Sequence, residues 1–67
     1  MLIRTTKKDA IRKMKSGEYP RVRAIRQRNV VINTEDVETL QRLDGRKYKF
    51  FAWDQACFKK FKELGLL

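Results

Sequence analysis

A chain of 67 residues that carries 17 lysines and arginines against 8 carboxylates can withdraw only a small part of itself from water. A domain of that size buries about 60% of the surface its unfolded chain exposes, and unpaired cations are almost never among the buried groups. The length suits one domain, so the expectation is a single small core with cations held around it. The net charge of +9 repels itself. That repulsion weakens a compact fold, and a polyanionic partner, either nucleic acid or an anionic membrane, would relieve it.

The charge is unevenly placed. Residues 1–28 hold ten basic side chains against Asp9 and Glu18, a local +8. Residues 29–45 hold Arg42 against Glu35, Asp36, Glu38 and Asp44, a local −3, and residues 46–67 return to +4, with six basic groups against Asp54 and Glu63. A charge that served solubility alone would be spread evenly, so this asymmetry favours a binding face. No apolar run approaches the roughly 18 residues of a membrane span. Met1-Leu2-Ile3-Arg4 is too short for a secretory signal, so a cytoplasmic location and a nucleic-acid partner are expected, not a membrane.

The same inventory argues against catalysis and bound cofactors. Cys57 is the one cysteine and histidine is absent, so neither a disulfide within the chain nor a zinc site is expected. A nucleophilic Cys57 has no imidazole to activate it, and its place beside Phe58 suits a small buried hydrophobe. Most of the carboxylates fall at helix starts or on helix surfaces, where capping and dipole effects account for them. With only Gly17, Gly45 and Gly65 there is no phosphate-cradling glycine loop. No catalytic residue and no metal ligand is assigned.

Read along the chain, the elements follow the order β-α-β-β-α-β-α, an α+β fold. Leu2 to Thr5 suits a short strand. Thr6 suits an N-cap with Asp9 in the first turn, and Ala10, Ile11 and Met14 share a face, which predicts an amphipathic helix over 6–16 stopped at Gly17. Glu18-Tyr19-Pro20 reads as a turn. Arg21-Val22-Arg23-Ala24 alternates with period two, the alternation slips by one at Ile25, and Val30-Val31-Ile32 is β-branched. A hairpin with Arg26-Gln27-Arg28-Asn29 at its tip follows. The competing reading is a helix over 20–28 with Pro20 at its first position and Val22 and Ile25 inward. Asn33 or Thr34 caps the next helix, with Val37, Leu40 and Leu43 inward and Asp44-Gly45 at its end. Residues 46–52 form an aromatic strand. Asp54 caps the last helix, where Trp53 can staple onto Phe58, Phe58, Phe61 and Leu64 form the buried stripe, and Gly65 closes it.

Ile11 to Leu43 resembles the second half of the excisionase and mercury-regulator type of winged helix-turn-helix domain. In that family a recognition helix ends in a Ser-Gly-Glu-x-Pro turn, a basic β-hairpin wing follows, and a capped acidic helix packs beneath it. Ser16-Gly17-Glu18-Tyr19-Pro20 matches the turn, Arg21 to Ile32 the wing, and Thr34-Glu35-Asp36-Val37-Glu38-Thr39-Leu40 the helix. The family's first helix has no counterpart among Met1 to Thr5, and the hairpin is a little longer than its usual wing. The resemblance implies a winged-helix-like fold and DNA binding.

The candidate nucleic-acid contacts follow from residue type and from that resemblance together. Lys7, Lys8, Arg12, Lys13 and Lys15 surround the first helix and can neutralise phosphates, releasing counterions; singly, each also suits a solvated helix face. Arg21, Arg23, Arg26 and Arg28 carry the planar fork that suits phosphates, guanine edges and narrow minor grooves, although Arg21 and Arg23 could instead pair with Glu35, Asp36 or Glu38. Gln27 can hydrogen-bond adenine, whereas Asn29 better suits turn formation. All of these cations are expected on one surface. Tyr48, Phe50, Phe51 and Trp53 beside Lys47 and Lys49 have the makings of a base-stacking platform, but so small a core needs its aromatics.

The function expected is therefore a small non-enzymatic DNA-binding accessory protein or regulator, such as a recombination directionality factor or phage-type repressor, with duplex DNA favoured over RNA. The alternatives are a phage-type inhibitor or adaptor that grips an acidic surface of a host protein, and an RNA-binding protein.

Overall fold

Local chemistry fixes the first helix at both ends. In the computed structural model, which describes residues 2–27 and 29–66, Thr6 is extended and its hydroxyl accepts the Asp9 N–H at 3.2 Å, opening α1 (Lys7–Ser16). One of the orphan donors of the first turn is thereby satisfied. Gly17 then turns left-handed at φ 86° and donates its N–H to the Met14 carbonyl. A Cβ placed on Gly17 would meet nothing within 4 Å, so only the backbone conformation demands glycine. Gly17→Ala is accordingly expected to destabilise the domain by about 1 kcal/mol, read as a Tm lower by roughly 4–8 °C.

Four strands form one antiparallel sheet: β1 (Ile3–Thr5), β2 (Arg21–Arg26), β3 (Val30–Thr34) and β4 (Lys49–Trp53), in the spatial order β1-β4-β2-β3. The hairpin places Arg26 opposite Val30, and the left-handed φ in its tip falls on Gln27 at 53°. Pairing continues from Val22 opposite Thr34 on one side of β2 to Val22 opposite Ala52 on the other. The first strand of the hairpin is therefore an interior strand of the sheet.

Because side chains alternate across a strand, that register sorts the residues onto two faces. The inner face carries Val22 and Ala24 from β2, Phe50 and Ala52 from β4, Thr5 from β1 and Thr34 from β3, all buried. Ala10 of α1 and Leu40 of α2 (Val37–Arg42) close over this face, with Ile11, Met14, Ile32, Leu43 and Tyr48 packed around them. The outer face carries Arg4, Arg21, Arg23, Ile25, Val31, Asn33, Lys49, Phe51 and Trp53. Among the described elements, α3 (Gln55–Glu63) is the helix that lies against it, bringing the edge of Phe61 to Trp53 at 6.2 Å between ring centroids.

Several boundaries differ from the sequence expectation: Arg26 lies in β2 and not in the hairpin tip, α2 ends at Arg42 before Asp44-Gly45, and three further differences each have an identifiable cause. The second helix starts at Val37, capped by Asp36 and not by Asn33 or Thr34, because sheet pairing holds Asn33 and Thr34 in β3. The Thr34 hydroxyl instead accepts the Asp36 N–H at 3.0 Å, and the Asp36 carboxylate accepts from the Glu38 N–H and the Thr39 hydroxyl. The aromatic strand starts at Lys49, because Asp44 folds the preceding residues into a turn. Its carboxylate takes the Arg46 N–H at 2.8 Å and its carbonyl the N–H groups of Lys47 and Tyr48. At the C-terminal end, α3 stops at Glu63 and Leu64 is 62% exposed, so the buried stripe of that helix reduces to half-buried Phe58 and Phe61. The ring that meets Trp53 is Phe61, one turn beyond the expected partner Phe58.

The Cα radius of gyration is 11.3 Å, against about 11 Å for a compact domain of this length. The molecule is a small α+β fold with a four-stranded antiparallel sheet and three helices.

Candidate nucleic-acid interface

The sheet divides the cations that the sequence placed together. Helix α1 covers the inner face, whereas Arg21 and Arg23 project from the outer one, so the helix lysines and these two hairpin arginines stand on opposite sides of the sheet. The expectation of one shared surface is corrected accordingly. Pleating is the cause: α1 packs on Val22 and Ala24, and their neighbours in β2 must face away.

On α1, two of the five candidates are engaged in holding the fold. Lys7 donates to the Gln41 carbonyl at 3.0 Å, placing a cation at the C-terminal end of α2 where the helix dipole favours it. Lys13 reaches the Tyr19 hydroxyl at 3.4 Å and lies 5.2 Å from that ring's centroid. Arg12 pairs with Asp9 at 3.3 Å, an exposed pair of a kind that contributes about 1 kcal/mol or less. Lys8 and Lys15 are exposed, with no ion pair or hydrogen bond from their side chains among the described residues.

The arginines of the hairpin have three different surroundings. Arg21 and Arg23 each lie 5.2 Å from the Trp53 ring centroid, a double cation–π contact that seals a tryptophan only 1% exposed. Arg21 also approaches Glu35 at 3.6 Å, and Arg23 donates from Nε to the Asn33 side-chain oxygen at 2.9 Å. Arg26 points to the inner side at the end of β2, 5.7 Å from the Tyr48 ring, and its Nε is buried without a hydrogen-bond partner. Gln27 is exposed at the tip, and Arg28 lies outside the described residues.

At the hairpin end of the outer face the surface is both basic and apolar. Ile25, Gln27, Lys47, Lys49 and Phe51 line a shallow depression, and Arg26, Gln27 and Lys47 line another beside it. Arg4 flanks the first from the neighbouring strand, its guanidinium carbon 5.3 Å from the Phe51 ring centroid. Ile25 stands opposite Lys49 on one side and Val31 on the other, and Val31 is 51% exposed. None of the strand residues on this face is acidic, and Glu35, just beyond β3, is held by Arg21. Phosphate oxygens could approach several cations here without meeting a carboxylate.

Arg4 and Ile25 are not among the binding residues read from the sequence, and Lys49 and Phe51 enter that reading only in an aromatic platform set aside in favour of the core. The signal for them was present in the slip at Ile25. Alternation continues through β2, so the apolar Ile25 belongs to the solvent side, and Arg4 becomes its neighbour only through cross-strand register. The aromatic cluster splits the same way. Phe50 and Trp53 are buried and Tyr48 packs on the core, whereas Phe51 stays half-exposed on the outer face.

The residues described contain no cluster of three or more His, Cys, Asp or Glu side chains able to hold a metal ion, and no helix among them is long and apolar enough to cross a membrane. No protein-family model matches the chain, and none of the curated proteins or solved structures compared with it does so either.

Proposed function

We propose that this protein acts by binding nucleic acid without catalysing a reaction on it, as a small accessory or regulatory factor of the excisionase kind working on DNA. The observation that carries the reading is the strip of Arg4, Arg23, Lys47 and Lys49 on the outer sheet face and hairpin end, where no strand residue is acidic. In a chain of net charge +9 such a strip concentrates an attractive potential for polyanions. The regulator reading rests further on the Ser16–Pro20 turn, the basic hairpin and the capped α2 in that order, the features that resemble the winged family. Interior placement of β2 gives this hairpin a different setting from a free-standing wing, and with Arg26 turned inward against Tyr48 the exposed Gln27 is the described tip residue left to reach a groove.

Fluorescence anisotropy of a labelled DNA duplex, titrated with protein at several salt concentrations, tests the reading. The expected result is micromolar or tighter binding at low salt, with log K falling linearly as log salt rises. Absence of binding at low salt, or binding indifferent to salt, overturns it. An acidic protein surface would be steered by the same cations, and a nuclease-treated pull-down that keeps one protein partner while the duplex fails to bind would decide for that alternative.

A further inference from the structure

We infer that the outer sheet face carries a stacking site for unpaired bases, with Phe51 as its platform, so that single-stranded nucleic acid is held by stacking as well as by charge. This rests on the nucleic-acid reading above and names the form of substrate that this face would take. The geometry that leads there is the half-exposed Phe51 ring in the middle of the face. Arg4 lies beside it on β1, Arg23 is opposite it on β2, and Lys49 is two residues before it on the same side of β4. Helix α3 shields the Trp53 end of the sheet through Phe61, and the depression at Phe51 is lined by Ile25, Gln27, Lys47 and Lys49, with no residue of α3.

Charge complementarity selects the occupant. An apolar ring ringed by Arg4, Arg23, Lys47 and Lys49 matches a ligand that is flat and apolar at its centre and anionic at its margin, and a nucleotide of an open strand meets both requirements. A duplex does not, because its bases are stacked on one another and offer the ring only their edges. The guanidinium of Arg4 now lies over Phe51 at 5.3 Å. Arg4 is exposed, and an exposed cation–π contact is weaker than a base–aromatic stack, so a base can take its place while Arg4 turns to the adjoining phosphate. Apolar Ile25 and Val31, facing each other across the hairpin on the same side, extend the platform for a neighbouring base.

The test uses the full chain and three probes of equal length: an oligothymidine, an oligouridine and a mixed-sequence DNA duplex, each labelled for anisotropy. Phe51→Leu keeps an apolar side chain but removes the π face, and Phe51→Tyr keeps that face; circular dichroism checks that both variants fold. Phe51→Leu is expected to weaken binding to single strands about tenfold while leaving duplex affinity unchanged, and Phe51→Tyr to restore single-strand affinity. Equal loss with oligothymidine and oligouridine shows that the ring reads the pyrimidine face and neither the sugar nor the 5-methyl group of thymine; loss with one alone means that one of those two contributes as well, and either outcome supports the site. Unchanged single-strand affinity in Phe51→Leu, or equal weakening on duplex and single strands, overturns the stacking site while leaving charge-driven binding intact. Failure of the unsubstituted chain to bind any of the three probes removes the broader reading with it.

Discussion

Phe50→Ala is expected to leave the chain largely unfolded at 25 °C. Phe50 is 2% exposed on the inner face of β4, in one cluster with Ala10, Tyr19, Val22, Ala24, Leu40 and Ala52. Three of those six partners are alanines, so the ring supplies much of the volume that lets α1 and α2 seat on the sheet. Removing a buried phenyl ring typically costs about 3–5 kcal/mol once the cavity is included. At about 0.05–0.15 kcal/mol per residue, a 67-residue domain has roughly 3–10 kcal/mol in all. The loss is therefore comparable with the whole stability of the fold, and the positive charge crowded around so small a core leaves little in reserve. A urea titration followed by far-ultraviolet circular dichroism would read it. A midpoint shifted by less than the equivalent of about 1 kcal/mol would mean that the Phe50 ring is not the keystone of the inner face. Phe51→Ala, one residue along and on the other face, should cost far less stability, which makes the pair a direct check on the pleat.

That contrast between neighbours also marks what the sequence discloses. Local signals were legible: the hydroxyl of Thr6 before a periodic stripe, Gly17 after it, Pro20 in the turn, and the alternation of Arg21 to Ala24 all correspond to the element found there. The residues alone give the wrong boundary where another contact, from the sheet or from a neighbouring turn, overrides the preference of the segment itself, or where an element ends early. Asn33 and Thr34 are good helix caps, but opposite Arg23 and Val22 they serve as the end of β3 instead. Tyr48 and Lys47 are strand-prone, but the Asp44 carbonyl claims their N–H groups. Leu64 fits the spacing of an inward stripe, yet α3 has ended before it. The candidate site suffered most from this limit. Alternation tells which side chains share a face, and it is silent on which face a helix will cover. The lysines of α1 and Arg21 and Arg23 of β2 therefore read as one surface in the sequence, whereas register and packing put the sheet between them.

The two cationic surfaces can be weighed against each other by moving equal charge on each. Lys47→Glu with Lys49→Glu alters the hairpin end of the outer face, and Lys8→Glu with Lys15→Glu alters α1; all four side chains are exposed. Each double variant lowers the net charge from +9 by two units per reversal, to +5, so the overall attraction for a polyanion falls alike in both. Only the placement of the charge differs. Lys47 and Lys49 line the depression beside Phe51, and losing both is expected to weaken nucleic-acid binding about a hundredfold and to reduce the slope of log K against log salt by about 2, one for each phosphate contact removed. The α1 pair is expected to cost only several-fold, with the slope nearly intact, because long-range attraction between exposed charges is screened beyond about 10 Å at 0.1 M salt. Thermal melts of both variants guard against an indirect effect, since a glutamate at position 15, in the last turn of α1, opposes the helix dipole by roughly 0.3–1 kcal/mol. If the α1 pair proves the more damaging, the contact surface lies on the helix side of the sheet and the outer-face assignment falls. If both pairs cost the same, the protein responds to total charge alone and neither face is a site.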